Sequence, residues 1–121
     1  MKGVIIKSPY IEDILNGVKK IEVRGQNTAY RGCIVLLQSN TNLALGVVDI
    51  VDSRQMSLEE YNSWEYRINN GKEIVSKLPY DKTYQWILEN PKWFNSPKNY
   101  FHPKGAIVWV NLPEDFLNGV D

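Results

Sequence analysis

Gly17-Val18-Lys19-Lys20-Ile21-Glu22-Val23-Arg24 is the stretch on which the reading of this chain turns. It follows a short amphipathic run ending in Asn16-Gly17, then alternates polar and apolar residues. Side chains of an extended chain alternate between two faces, so Lys20, Glu22 and Arg24 share one side and Ile21 and Val23 the other. Two basic groups and a carboxylate beside a helix end form either a ligand-facing row or an ordinary solvated face. The flanking sequence has to separate the two.

Upstream, Val4-Ile5-Ile6 reads as a buried first strand. Ser8-Pro9 marks a helix start, with Ser8 as N-cap and Pro9 at the first helical position, where a missing N–H costs nothing. Ile11, Ile14, Leu15 and Val18 keep the spacing of one buried helix face, and Gly17 supplies the left-handed residue that ends it. The opening stretch is therefore a second strand delivered from a helix end. Downstream, residues 26–32 read as a loop and Cys33 to Leu37 as a strand buried on both faces. After the turn Asn40-Thr41-Asn42, a fourth strand runs from about Leu43 to Val51, with Gly46 marking a bulge or a close backbone approach.

Ser57-Leu58-Glu59-Glu60 has the form of a capping box. The helix it opens presents Leu58, Tyr61, Trp64 and Ile68 before Asn69-Asn70-Gly71 stops it, and Lys72 to Lys77 reads as a further helical turn. Tyr84 to Leu88 is a fifth apolar run. Pro91, Pro97 and Pro103 bracket an aromatic-rich loop from Lys92 to His102. Gly105 to Val110 reads as the closing strand, followed by a loose tail from Pro113. The expected organisation is one domain over 1–112 and a C-terminal tail over 113–121. Short strands with a few intervening helices predict an α+β fold built on a curled or closed mixed sheet.

The totals narrow the chemistry. In 121 residues, 14 Lys+Arg balance 14 Asp+Glu, so no overall basic excess exists to coat duplex nucleic acid, and any nucleic-acid site must be a local cleft. Cys33 is the single cysteine, which excludes an internal disulfide and predicts a reducing, cytoplasmic setting. With one Cys and one His (His102), a zinc site of the usual Cys/His kind is excluded. No metal or other cofactor is expected. No apolar run approaches the roughly 18 residues of a membrane span, so no membrane association is expected.

Taken in order, these residues resemble the ASCH domain, a relative of the PUA RNA-binding domain. The family opens with an apolar strand, a short helix and Gly-x-Lys-x-x-Glu-x-Arg, followed by Arg-Gly and an apolar strand. Here the pattern is Gly17-Val18-Lys19-Lys20-Ile21-Glu22-Val23-Arg24, then Arg31-Gly32-Cys33-Ile34-Val35-Leu36. The Gly-bearing strand Leu45-Gly46-Val47-Val48, the aromatic strand Tyr84-Gln85-Trp86-Ile87-Leu88 and the closing Gly105 to Val110 follow in the family's order. The resemblance implies a PUA-like mixed β-barrel of five or six strands with two or three short helices. It also implies a cleft near the opening motif that binds RNA, a nucleotide or a modified nucleoside. A second implied reading is a small hydrolase acting on acylated cytidines or on RNA. Apart from the resemblance, the neutral net charge and the aromatic Pro-rich loop are consistent with a third reading, a protein-interaction domain with a protein partner.

Lys19, Glu22 and Arg24 match the family motif, with Lys19 and Arg24 facing phosphate, ribose or base and Glu22 ordering Arg24 or accepting from the ligand. Strand alternation alone puts Lys19 on the opposite face, unless the helix-to-strand junction turns it back. Related amidohydrolases carry Lys-x-x-Thr and a distant Glu. Here Glu22 stands where the Thr nucleophile would be, so Lys19 and Glu22 are catalytic candidates only in the hydrolase reading. Glu60, Glu65 and Glu73 lie where the distant Glu would fall. Lys7, at the end of the first strand, widens the positive field. Trp93 and Tyr100, in the Pro-rich loop, are candidates for a base-stacking wall, whereas Trp86 and Trp109 read as core. His102 reads as a structural hydrogen-bonder, and Ser39 as a turn residue.

Overall fold

Residues 34–37 are apolar at every position, and the computed structural model shows why both faces need them. It describes residues 1–63, 66–67 and 73–120. The elements are β1 (Lys2–Ile6), α1 (Tyr10–Leu15), β2 (Ile21–Arg24), β3 (Gly32–Gln38), β4 (Leu43–Gln55), α2 (Leu58–Tyr61), β5 (Tyr84–Asn99) and β6 (Trp109–Asn111). They form one six-stranded sheet in the order β2-β5-β4-β3-β1-β6, with β1 and β3 parallel and the other pairs antiparallel. Ile34 and Leu36 of β3 enter a core shared with Ile11, Ile14 and Leu15 of α1 and with Trp86 of β5. Val35 and Leu37, on the opposite face, enter a second core with Phe94, Tyr100, Val110 and Phe116. From Ile34 to Leu37 both faces of β3 are covered, so no polar alternation is needed there.

The sheet curls until its distant strands meet. The β4–β5 ladder shifts register at Ala44/Gly46, Val47/Asp49 and Ile50/Asp52, and β3–β4 shifts at Leu36/Leu37. Each irregularity adds local twist. Trp86 of β5 consequently stacks on Trp109 of β6, with ring centroids 5.4 Å apart, although β4, β3 and β1 lie between those strands in the ladder. The result is an open half-barrel with two short helices among the described residues, the α+β PUA-like architecture expected. Gly46 serves both expected purposes. It sits at a register shift, and a Cβ there would collide with the Lys92 carbonyl and come within 2.6 Å of the Leu15 side chain.

Several expectations need correction. Residues 92–99 are not a loop: β5 continues through Pro91 and Pro97 to Asn99. β2 pairs only with Tyr84 to Ile87, so beyond that point β5 has an unpaired edge on which proline removes no ladder bond. The closing strand is shorter than expected, Trp109–Asn111. The tail after Pro113 is not loose, because Phe116 is buried in the second core and Leu117 and Val120 pack against it. Ser8 does not cap α1. Pro9 occupies the cap position, and the Ser8 hydroxyl instead donates to the Glu12 carboxylate at 2.8 Å. Val18 is exposed rather than buried, since Gly17 ends the helix before it. Cys33 is half-buried. The Ser57–Glu60 capping box forms as expected, and Tyr61 is buried. Trp64, Ile68 and the stop at Asn69-Asn70-Gly71 lie outside the described residues, as do Glu65 and Lys72. Residues 73–77 are not helical.

Candidate functional site

Gly17 decides where Lys19 goes. Its φ of 79° lets the chain fold back over the end of α1, where the amides of Val18 and Lys19 both donate to the Asp13 carbonyl at 3.0 Å. That wrap overrides strand parity and brings the Lys19 ammonium to the side on which Glu22 lies. Lys19 Nζ donates to the Ile21 carbonyl at 2.7 Å and stands 3.7 Å from Glu22 Oε1. Glu22 Oε2 accepts from Arg24 Nε at 2.9 Å and lies 2.8 Å from Arg24 Nη2. Lys19 and Glu22 are only 6 and 8% exposed, so this is a buried, paired cluster rather than a solvated strand face.

Arg24 also spans the seam of the half-barrel. Its Nη2 donates to the Ile5 carbonyl at 3.0 Å, joining β2 to β1, which are separated in the ladder by β5, β4 and β3. Its guanidinium lies 5.8 Å from the Trp86 ring. With Nε and Nη2 committed, Nη1 makes no hydrogen bond among the described residues.

A cleft of about 430 Å³ opens along this seam, within the size range of small-ligand sites, roughly 300–1,000 Å³. Lys19, Glu22 and Arg24 line it together with Lys7, which follows β1. Tyr10, Tyr61, Tyr66 and Tyr80 supply aromatic lining, and Ser39 and Ile107 are among the other lining residues. The Tyr61 and Tyr66 rings lie 5.1 Å apart. Burial pushes the Tyr66 phenol well above its ordinary range, reinforced by Tyr61, Glu22 and Tyr10. Among the described lining residues three cations face one carboxylate, in a chain whose formal charge is zero.

The expected site residues divide into two groups. Lys7, Lys19, Glu22 and Arg24 come together at the cleft. Trp93 and Tyr100 do not line it. Trp93 sits on β5, where its indole N–H donates to Asn16 Oδ1 at 2.8 Å, holding the end of α1. Tyr100 is buried in the second core and its hydroxyl meets His102 Nδ1 at 2.9 Å. His102 Nε2 pairs with the Ala106 carbonyl at 3.0 Å, a structural arrangement that makes Nε2 the donor and Nδ1 the acceptor. Neither Glu60 nor Glu73 lines the cleft. Glu60 is held below the usual carboxylate range by the Ser57 backbone N–H, its capping contact, and then by the side-chain amide of Gln85 on β5. The four tyrosines and Ile107 carried no local motif. The readable hint was Tyr10, an aromatic outside the Ile11–Ile14–Leu15 stripe of its own helix.

No group of three or more His, Cys, Asp or Glu among the described residues has the arrangement to hold a metal ion. Among the described residues no helix is long and apolar enough to cross a membrane.

Comparison with known proteins agrees with this architecture. The family model of the ASCH domain matches residues 4–98. Among solved structures, the crystal structure of ASCH from Zymomonas mobilis aligns with a TM-score of 0.61 at 16% identity, over 94% of this chain and 88% of that one. A tyrosine-to-phenylalanine variant of the Zymomonas mobilis protein gives 0.64 at 14% identity, over 94 and 91%. A serine-to-alanine variant gives 0.65 at 12% identity, over 94 and 89%. At such identities the likeness is one of fold. No curated protein matches the chain. With three-quarters of its length matched by the family model and the half-barrel shared with these structures, the chain belongs to the ASCH domain family.

Proposed function

We propose that the seam cleft binds RNA or a nucleotide through Lys7, Lys19 and Arg24, with Glu22 ordering Lys19 and Arg24. ASCH domains are a PUA-like family associated with RNA binding. The observation that carries the proposal is the local charge: three cations against one carboxylate on a cleft of ligand size, in a protein of zero net charge. Glu22 is held by Arg24 and Lys19, so its role is to fix the Arg24 fork rather than to repel an anion. Lys19, held on the Ile21 carbonyl beside Glu22, contributes its positive field, while the exposed Lys7 and the Nη1 edge of Arg24 contact the phosphate directly.

The hydrolase reading finds less support in this geometry. Glu22 Oε2 is shared between two nitrogens of Arg24, and no second carboxylate lines the cleft among the described residues. Binding is the reading favoured. Titration of short single-stranded RNA across a salt series tests it. Two phosphate contacts give a log–log salt slope of about −1.4, and Lys7→Ala brings it to about −0.7 with weaker binding at low salt. Lys7 is exposed, so the fold tolerates the change. Equal affinities for wild type and Lys7→Ala at low salt would remove the proposal. Product analysis of the same mixtures, with intact RNA and N4-acetylcytidine as substrates, reports any turnover.

A further inference from the structure

The Tyr61 hydroxyl is an anomaly inside this cleft. Tyr61 is only 8% exposed and lies on α2 in a cluster with Met56 and Tyr66, against which Ile21 and Val23 of β2 pack. A phenol so deeply set ordinarily finds a hydrogen-bond partner. The Tyr61 hydroxyl has none among the described residues, yet no fully buried side-chain polar atom there lacks a partner. The hydroxyl is therefore not sealed from solvent, and Tyr61 is one of the residues that line the cleft. Were Tyr61 present only to fill the core, a phenylalanine would fill it without leaving a polar atom unpaired.

The surroundings say what kind of group it meets. On the Tyr61 side the wall is apolar and aromatic, with Val23 and the Tyr66 ring as neighbours. Further apolar surface comes from Ile107, which is 80% exposed on the rim, and from the half-exposed Tyr80. Ala106, the neighbour of Ile107, is anchored: the Ala106 amide donates to the Pro103 carbonyl at 3.1 Å, and the Ala106 carbonyl accepts from His102. The cationic groups, Lys7 and Arg24 Nη1, make up the other part of the lining. An aromatic wall whose phenols include the unpartnered hydroxyl of Tyr61 suits a flat, weakly polar body with a hydrogen-bonding edge, and the cations suit a phosphate.

We infer that the Tyr61 hydroxyl reads the polar edge of an unpaired base, so that the cleft selects a nucleotide over a bare or sugar-borne phosphate. This rests on the anion-binding reading of the same cleft and adds a residue that distinguishes ligands within it. The base must be unpaired, because a recessed hydroxyl reaches only an edge that no complementary strand already occupies.

The test is Tyr61→Phe, which deletes one oxygen that bonds to nothing within the described fold, with an unchanged melting curve as the check on folding. Calorimetric or NMR titrations compare wild type, Tyr61→Phe and Lys7→Ala against the four ribonucleoside 5′-monophosphates, ribose 5-phosphate and pyrophosphate. The expected result is that Tyr61→Phe weakens the best-bound mononucleotide by roughly three- to tenfold, the worth of one hydrogen bond, and leaves ribose 5-phosphate and pyrophosphate unchanged. Lys7→Ala weakens all three classes. If Tyr61→Phe binds every mononucleotide as wild type does while Lys7→Ala still weakens them, the base-reading role is overturned and anion binding stands. An equal loss for ribose 5-phosphate also overturns it, because the hydroxyl then serves the sugar-phosphate. If wild type binds none of the probes, the anion reading itself falls and the Tyr61 role with it.

Discussion

Replacing Arg24 by methionine keeps a long apolar stem and removes the guanidinium that clasps the seam. Two losses combine. Glu22 Oε2 loses its closest cation, and breaking a buried pair from one side costs about 3–5 kcal/mol when the remaining charge has no other partner. The Ile5 carbonyl loses a charge-assisted hydrogen bond, a class worth roughly 1.5–3 kcal/mol. Both figures are upper limits here. The Arg24 side chain is 19% exposed, and Lys19 remains 3.7 Å from Glu22 Oε1 to share the orphaned charge. A net loss of about 3 kcal/mol follows, which for a domain of this size lowers the melting temperature by roughly 10 °C. Glu22→Gln still offers an oxygen to Arg24 and is expected to cost less, about 1–2 kcal/mol. The informative variant is the double one, Arg24→Met with Glu22→Gln, in which no carboxylate is orphaned and Lys19 keeps its bond to the Ile21 carbonyl. Its loss should fall at least 1 kcal/mol short of the sum of the singles, measured by urea denaturation with unchanged slope. Strict additivity, or an Arg24→Met stability within about 0.5 kcal/mol of wild type, would refute the clasp.

Two further outcomes are expected. Gly46→Ala should destabilise the fold by about 1–3 kcal/mol, because the new methyl meets the Lys92 backbone carbonyl, which cannot swing aside as a side chain would; chemical denaturation measures it. The raised Tyr66 phenol penalises the folded state in alkali: below about pH 10 the phenol is neutral folded and unfolded, and above it the unfolded chain ionises first. Stability should therefore fall as pH rises through about 10, and Tyr66→Phe should show a shallower fall in melting temperature over that window.

The sequence was most legible where a local rule had no competitor. Val4-Ile5-Ile6, the run from Ile34 to Leu37 and the Ser57–Glu60 capping box all formed as their patterns require. Gly17 was read correctly as a helix terminator. Its second effect, turning Lys19 to the Glu22 side, depended on two amides sharing the Asp13 carbonyl, which no alternation pattern encodes. The prolines of β5 misled because proline breaks a strand only where its N–H would have been used. Whether an edge is unpaired is a property of the whole sheet. Tyr61 was visible only as a helix-face residue. That Tyr61 lines a cleft depends on how α2 sits against β2, and the sequence between them carries no sign of that packing. Trp93 and Tyr100 drew attention as aromatics in an assumed loop. One holds the end of α1 and the other fills the second core.

The three register shifts along β4–β5 have a bearing beyond the sheet they distort. No residue of either strand lines the cleft among the described residues, yet their coiling is what brings β1 and β2 within reach of one arginine. Width and chemistry are thus encoded in separate parts of the chain: the back of the sheet sets the gap, and the residues facing the gap set what enters it. Substitutions at the lining can retune the ligand while the gap holds its dimensions. Insertions that straightened β4–β5 would change the gap with every lining residue still in place.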